Sequence, residues 1–142
     1  MNHQLTHKIL ICEDEDIMLA VLEFRLKRIG YQVLRAHDGE EAIHLIEANN
    51  PDLLVLDLML PQISGLDVIQ QVRNNMNISL PIVVISALED GNIITESLRL
   101  GANDFLSKPF KSFELILRIK RILQPADFIR NYEHPLQYQN LY

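Results

Sequence analysis

Five side chains that could support ionic or phosphoryl chemistry each stand at, or just after, the end of a short apolar stretch of the sequence. They comprise three carboxylic acids, one hydroxyl and one lysine: Glu13, Asp14, Asp57, Ser86 and Lys108. Clustered carboxylates stay ionised together only where a cation offsets their charge. Hard oxygen ligands suit Mg²⁺, which takes one or two carboxylates, phosphate oxygens and several waters. The residue types therefore predict a magnesium site, with Mn²⁺ as an alternative ion, that handles a phosphoryl group.

The ligands of such an ion can be assigned provisionally from position. Asp14 and Asp57 are the candidates for direct coordination, and the backbone carbonyl of Met59, just after Asp57, is a plausible third ligand. Glu13 is expected to act through a water. Mg²⁺ keeps several waters, so three protein ligands would suffice.

The remaining groups suit phosphoryl transfer. A carboxylate can act as a nucleophile and form an acyl-phosphate, which makes Asp57 the candidate acceptor. Lys108 would supply positive charge and Ser86 a hydroxyl donor, while the small Ala87 would leave room for a phosphodonor. Phosphoryl transfer depends mainly on positioning and charge neutralisation, and these residue types provide both.

Short apolar runs predict the strands that would position these groups. Three runs lack polar alternation: Lys8–Cys12, Leu53–Leu56 and Ile82–Ile85. Such runs are typical of parallel strands covered by helices on both faces. Tyr31–Ala36 and Asp104–Ser107 are weaker candidates. Because ligands of open α/β sheets bind beyond the carboxyl ends of the strands, these strands would gather the candidate residues at one end of the sheet.

Apolar residues at helical spacing separate the runs, with Gly30 and Gly101 as expected helix ends. The five sets are Leu19, Leu22, Leu26 and Ile29; Ala42, Ile43 and Ile46; Val68, Ile69, Val72 and Met76; Ile93, Ile94, Ser97 and Leu98; and Phe113, Ile116, Leu117 and Leu123. Strand and helix thus alternate five times, which predicts a doubly wound parallel α/β sheet.

The last predicted helix carries a second apolar stripe, formed by Leu115, Ile119 and Ile122. A helix needs only one stripe to dock on a sheet. The extra stripe indicates either a deeply buried helix or a surface for a partner, and the sequence leaves both open.

Composition restricts the class of protein. The 142 residues carry a net charge of −6, which argues against this segment itself binding nucleic acid. Cys12 is the single cysteine, so no internal disulfide can form, and it is expected to be a buried core residue. No apolar run approaches a membrane span and no secretory signal precedes the first run, so we expect a cytoplasmic, non-membrane protein.

Four segments of the sequence, taken together, resemble the receiver domains of two-component response regulators. They read KILICEDED, PDLLVLDLMLPQISGLDVI, PIVVISA and GANDFLSKPF. The resemblance runs from about Lys8 to Leu123 and implies a (βα)₅ flavodoxin-like fold with strand order 2-1-3-4-5. It divides the chain into an N-terminal extension (1–7), a receiver domain (8–123), and a C-terminal tail or linker stub (124–142). That last part could be a linker or a tail packed on the surface.

The resemblance also implies roles for individual residues. Asp57 falls on the phosphoacceptor, which a sensor histidine kinase or phosphotransfer protein would load. Glu13 and Asp14 fall on the acidic metal pair, with Met59 as the carbonyl ligand. Lys108 falls on the family's lysine and precedes a proline whose peptide bond is often cis in these domains.

Two further residues fall on the family's switch. Ser86 matches the switch Ser/Thr and Phe105 the switch aromatic, here without the hydroxyl of the frequent Tyr. Phosphorylation is expected to change the surface made by the fourth helix, fifth strand and fifth helix. The implied protein is a signalling switch rather than an enzyme, although it takes part in its own phosphotransfer and slow dephosphorylation.

Several features look like the winged-helix transcription-factor class of response regulators. Asp104, Glu114 and Arg118 would lie on a homodimer face made by the same surface. Ile94 stands where a charged dimer partner is expected, which departs from that pattern. A DNA-binding output domain would fit a longer gene, and a single-domain relay would fit a chain that ends at Tyr142.

The residues themselves argue against two other functions. An aspartyl-phosphate hydrolase of the haloacid-dehalogenase type resembles D-x-D, but Asp57 is followed by Leu58 and Met59, so the general acid is missing. A receiver-like module that is never phosphorylated usually lacks an acid or the lysine, and this chain has all of them.

Overall fold

The computed structural model describes residues 6–87 and 90–126 and shows a parallel sheet of five strands. The strands are β1 (Lys8–Cys12), β2 (Gln32–Ala36), β3 (Leu53–Asp57), β4 (Ile82–Ser86) and β5 (Asp104–Ser107). Their order is β2-β1-β3-β4-β5, and every neighbouring pair is parallel. The predicted doubly wound (βα)₅ fold with strand order 2-1-3-4-5 is confirmed, including both weaker strands.

A helix follows each strand. The helices are α1 (Asp16–Arg28), α2 (Gly39–Asn49), α3 (Gly65–Gln70, continued by a π-helical segment at Gln71–Asn75), α4 (Gly91–Leu100) and α5 (Ser112–Leu123). Gly30 and Gly101 have positive φ, 106° and 124°, at the ends of α1 and α4 as predicted. Among the described residues, no helix combines the length and apolar content needed to cross a membrane.

The third helix differs from the regular α-helix that its spacing predicts. After Gln70 the backbone widens, and the Met76 amide donates to the Gln71 carbonyl over 2.9 Å, a π-helical bond. The guanidinium of Arg73, within this segment, donates to the carbonyls of Gly101 and Ile78. The segment is therefore tied to the end of α4 and to the loop before β4.

The core has two parts because successive strand residues point to opposite faces of the sheet. On one face Ile9, Ile11 and Val55 pack with α1 and α5. On the other Leu10 and Leu54 pack with α2, α3 and α4. Both faces of β1, β3 and β4 are thus covered, which explains their lack of polar alternation.

The two apolar stripes of α5 merge into one buried side. Leu115, Ile116 and Ile119 are fully buried against β1, β3 and α1, while Ile122 is partly buried in the same cluster. The second stripe therefore contributes to the core, and Leu115 and Ile119 offer no surface to a partner.

Cys12 is buried as predicted, at the carboxyl end of β1. Its thiol donates to the carbonyl of Asp38 at 3.3 Å. Burial, together with the nearby carboxylates, raises the pKa of the Cys12 thiol above its usual range, so the sulfur stays protonated and acts as a small apolar group.

Candidate functional site

Three carboxylates converge where β1 and β3 end side by side. Cys12 pairs with Leu56, so Glu13 and Asp14 follow β1 beside Asp57, the last residue of β3. One carboxylate oxygen from each of these three acids lies within 4.8 Å of the other two. The strand order, which makes β1 and β3 neighbours, is therefore what assembles an acidic cluster from distant parts of the sequence.

Lys108 reaches this cluster from the end of β5. Its Nζ donates to Glu13 Oε1 at 2.6 Å and to Asp57 Oδ2 at 2.9 Å, and only 16% of its side chain is exposed. Its backbone amide donates to the carbonyl of Ser86 at 2.8 Å, which holds the loop after β5 against β4. Burial alone would lower the pKa of Lys108, but its bonds to the two carboxylates outweigh that effect and raise it.

Glu13 is fully buried, yet its second oxygen, Oε2, has no hydrogen-bond partner among the described residues. Burial and the neighbouring Asp57 carboxylate raise the pKa of Glu13 to about 7, against the opposing effect of Lys108. One lysine thus faces three acids. A buried carboxylate oxygen without a donor is costly and rare, so a positive group in addition to Lys108 would stabilise the site.

The backbone around Asp57 fixes the orientation of its carboxylate. The Met59 amide donates to Asp57 Oδ1 at 3.0 Å, while the Met59 side chain is 56% exposed at the mouth of the site. Helix α3 begins immediately below, at Gly65. A Cβ there would lie 2.6 Å from the Asp57 carbonyl oxygen, so only glycine permits this close packing.

Ser86 and Phe105 occupy different depths beside the acids. Asp57 pairs with Ile85 in the sheet, and Ser86, the next residue of β4, is fully buried. Phe105 pairs with Val84 one strand further out and is partly buried against the α4 side of the core. The aromatic ring is thus placed on β5, in the core cluster that also contains residues of α4.

The residues expected on a dimer face pair with one another in the same chain. Asp104 Oδ2 lies 3.5 Å from Arg118 Nε, without hydrogen-bond geometry, and 2.6 Å from Arg121 Nη2. Arg118 also donates to the Glu114 carbonyl at 3.1 Å. The sequence analysis did not identify Arg121, although it lies three residues after Arg118, just under one turn and on the same side of α5.

Two features of the site were not anticipated from sequence. The direct contact of Glu13 with Lys108 was not predicted, and the expectation that Glu13 reaches a metal ion through a water stays a prediction. Gly65 was not singled out, although the Ser64–Asp67 capping box that starts α3 is visible in the sequence. Leu88, which follows Ser86 by two positions, lies outside the described residues.

The acidic cluster fits a divalent cation. Its ligands are hard oxygens, and among the described residues the buried Glu13 Oε2 has no hydrogen-bond partner. If all three acids were ionised beside the one lysine, the excess negative charge would be balanced by a 2+ ion. That donor set suits Mg²⁺ or Mn²⁺ rather than a thiolate- or imidazole-binding metal.

Comparison with known proteins agrees with this architecture. A family model described as "Response regulator receiver domain" matches residues 9–120. The alkaline phosphatase synthesis transcriptional regulatory protein PhoP of Bacillus subtilis is 38% identical over 123 residues, 87% of this chain and 51% of that protein. The chain spans about half the length of the curated relatives it matches.

Solved structures with the same fold include two bacterial regulators. The Francisella response regulator 1452 receiver domain is 30% identical, with a TM-score of 0.79 over 85% of this chain and 99% of that one. A two-component response regulator from Clostridium difficile is 29% identical, with a TM-score of 0.80 over 84% of this chain and 97% of that one.

Proposed function

The chain belongs to the response regulator receiver domain family, and from that premise we propose that it is a switch phosphorylated on Asp57 by a histidine kinase or phosphotransfer protein. The observation that carries the proposal is the convergence of Asp57 with two further acids and with Lys108, from three separate strand ends. Lys108, largely buried between two buried carboxylates, supplies positive charge where the oxygens of a transferred phosphoryl group would lie.

In the proposed transfer, a carboxylate oxygen of Asp57 attacks the phosphorus of a phosphohistidine. The new O–P bond forms as the P–N bond breaks, and the donor imidazole leaves with the electron pair and takes up a proton. Asp57 Oδ1 is oriented by the Met59 amide, and Lys108 offsets charge on the oxygens of the transferred group.

We propose that Glu13, Asp14, Asp57 and the backbone carbonyl of Met59 hold Mg²⁺. The ion would neutralise charge on the phosphoryl oxygens. Asp14 is exposed and Glu13 buried, and both would supply carboxylate oxygens to the ion. Glu13 also anchors Lys108, so it links the metal site to the lysine.

We propose further that phosphorylation draws Ser86 toward the phosphoryl group and lets Phe105 turn inward. The surface of α4, β5 and α5 would then shift its population toward a form that binds a partner. A homodimer through Asp104, Glu114 and Arg118 is the proposed outcome. It requires Arg118 and Asp104 to exchange their pairing within the chain for pairing across the interface.

We place the receiver domain at residues 8–123, between an N-terminal extension (1–7) and a tail or linker (124–142). β1 begins at Lys8 and α5 ends at Leu123, which supports these limits. Since PhoP is a transcriptional regulatory protein, we propose transcription as the output, acting in the cytoplasm through a DNA-binding domain in a longer protein. The receiver itself would then bind no nucleic acid.

Intact-mass measurement after incubation with acetyl phosphate and Mg²⁺ tests the proposal. Wild-type protein is expected to gain one phosphoryl group, and chelation of the metal is expected to prevent the gain. An Asp57→Asn variant, matched in size, is expected to gain none. A folded wild-type protein that gains no phosphoryl group would instead support a receiver-like module that acts by contact alone.

A further inference from the structure

The negative charge of the protein is concentrated in one part of the sequence. Residues 36–72 contain seven of the 19 acids and neither lysine nor arginine, while the other 12 acids are spread among all 13 basic residues. Two of the seven, Asp52 and Asp57, lie at the ends of the sheet, and the other five lie on or beside α2 and α3. The net charge of −6 therefore originates mainly on the side of the protein that these two helices form.

A groove of about 690 Å³ lies between α2 and α3 on this acidic side. Ile43, Ile63 and Val68 form an apolar strip within it. At the start of α2 the two helices touch, because a Cβ on Gly39 would lie 2.8 Å from Val68 Cγ2. Polar side chains complete the lining, and three of them are exposed carboxylates: Glu40, Glu47 and Asp67, beside His44 and Gln71.

The three carboxylates of the groove differ from other acids of the chain in their partners. Glu23 pairs with Arg35 at 3.1 Å, and Glu96 pairs with Arg99 on α4. Within the part of the chain that the structure describes, no lysine or arginine contacts a carboxylate of the groove. Exposed acids alone are ordinary, but unpaired acids that border an apolar strip are typical of a surface that takes a basic partner.

The spacing along α2 suits a helical partner. Glu40 and Glu47 are seven residues apart, which is two turns and about 10 Å of helix, and Ile43 lies between them on the same face. Asp67 stands on the opposite wall, at the start of α3. A second helix in the groove would therefore meet apolar side chains along its middle and carboxylates on both sides.

We propose that the groove between α2 and α3 binds an amphipathic, basic helical segment of a partner protein. Apolar side chains of that segment would cover Ile43, Ile63 and Val68, and lysines or arginines seven residues apart would pair with Glu40 and Glu47. Charge favours such a partner over a second copy of this chain, whose net charge is itself −6. The groove shares no element with the surface of α4, β5 and α5, so this binding goes beyond the proposed switch.

A synthetic peptide serves as the probe. It is alanine-based, has blocked ends and is about 18 residues long, which is enough to form a helix in water. Two arginines seven positions apart flank two leucines on the same face. Titration into the whole ¹⁵N-labelled chain is expected to shift the amide resonances of Ile43, Ile63 and Val68. A peptide with serines in place of the leucines should bind at least tenfold more weakly, since it buries no apolar side chain.

Matched pairs of variants separate the groove from general charge attraction. Glu40→Gln with Glu47→Gln is expected to weaken binding of the arginine peptide about fivefold, as the loss of two exposed ion pairs would. Glu23→Gln with Glu96→Gln removes the same charge from acids that already have partners in the chain. This second pair is expected to keep the wild-type affinity.

Four results would overturn the proposal. Equal weakening by both pairs of variants would mean that the peptide responds only to net charge. Amide shifts centred on Asp14 and Asp57 would assign the attraction to the acidic cluster at the end of the sheet. Shifts of the groove residues that grow with protein concentration before any peptide is added would mean that a second copy occupies the groove. Absence of binding up to millimolar peptide would mean that the groove is not a docking site for a basic helix.

Discussion

Each end of the sheet has a lysine and carboxylates, but their partners differ: backbone groups at the amino end, and other charged side chains at the carboxyl end. At the amino end, Asp52 Oδ2 accepts a 2.7 Å bond from the Lys8 backbone amide, and Lys8 Nζ donates to the Asn49 carbonyl at 3.2 Å. Each group there has a neutral backbone partner. At the carboxyl end, Lys108 is shared between two carboxylates, and one buried oxygen of Glu13 is left without a donor.

This difference indicates that the charged residues at the amino end stabilise the fold, whereas those at the carboxyl end can bind a ligand. The amino end is complete within the chain, so its hydrogen bonds contribute to stability alone. Among the described residues, the carboxyl end holds three acids beside one lysine, which favours binding of a cation; the cation and Lys108 together would then attract an oxyanion. The comparison can be tested by changes that act on one end and leave the other intact.

The largest expected effect concerns the packing below Asp57. Gly65→Ala would force a Cβ to within 2.6 Å of the Asp57 carbonyl and the Leu58 Cα, which overpacks the site from beneath. We expect a loss of about 3 kcal/mol in the free energy of unfolding, measured by urea denaturation. Gly91→Ala, at the start of α4 with open space around it, is the control and should be near neutral. Equal effects would show that α3 does not pack rigidly on β3.

Mg²⁺ is expected to bind at the carboxyl end of the sheet and not at the amino end, and its binding should stabilise the folded protein. Mg²⁺ at about 100 times its dissociation constant is expected to raise the free energy of unfolding by about 2.7 kcal/mol, by mass action on the folded state. Asp57→Asn and Asp14→Asn should lose most of this gain, while Asp52→Asn, at the amino end, should keep it. Thermal denaturation with and without Mg²⁺ measures the difference. A gain of the same size in all the variants would place the ion elsewhere.

Removal of the amino-end carboxylate should affect stability without affecting phosphorylation. Asp52→Ala deletes the acceptor for the Lys8 amide and is expected to cost about 1 kcal/mol of unfolding free energy. Its rate of phosphoryl gain from acetyl phosphate should match that of the wild type. A slower rate, with the protein folded, would mean that the two ends of the sheet are coupled.

The smallest expected effect concerns the lifetime of the phosphoryl group. Met59 lies exposed at the mouth of the site and has no polar group to orient an attacking water. We expect slow self-hydrolysis, accelerated about threefold by Met59→Asn, because an amide would lower the barrier by well under 1 kcal/mol. Phosphate release after removal of the donor measures the decay. The phosphorylated Met59→Leu variant should decay at the wild-type rate. A wild-type rate for Met59→Asn as well would contradict this explanation.

The sequence predicts the fold well because burial on both faces leaves a direct signature. β3 and β4 are apolar at nearly every position, and Gly101 ends α4 where the helical spacing stops. The π-helical segment was not predicted, since a shift in backbone hydrogen bonding changes no apolar spacing. Only the contact of Arg73 with the distant Gly101 carbonyl shows how that segment is held.

The sequence predicts which residues form the site, but not which of their side chains contact one another. Strand ends identify Glu13, Asp14, Asp57 and Lys108 as neighbours, because parallel strands end together. The direct bond from Lys108 to Glu13 joins residues 95 positions apart and depends on loop geometry that spacing does not encode. For the same reason, the pairing of Asp104 with Arg121 within the chain could not be read from the residues that suggest a dimer face.

The central claim is that Asp57, and no other acid of the cluster, accepts the phosphoryl group. Reduction of the phosphorylated protein with borohydride converts an aspartyl phosphate to homoserine, which peptide mapping locates by mass. We predict homoserine at position 57 alone, formed only after treatment with phosphodonor and Mg²⁺. Reduction at Asp14, or at none of the acids despite a measured gain of phosphoryl mass, would contradict this account of the site.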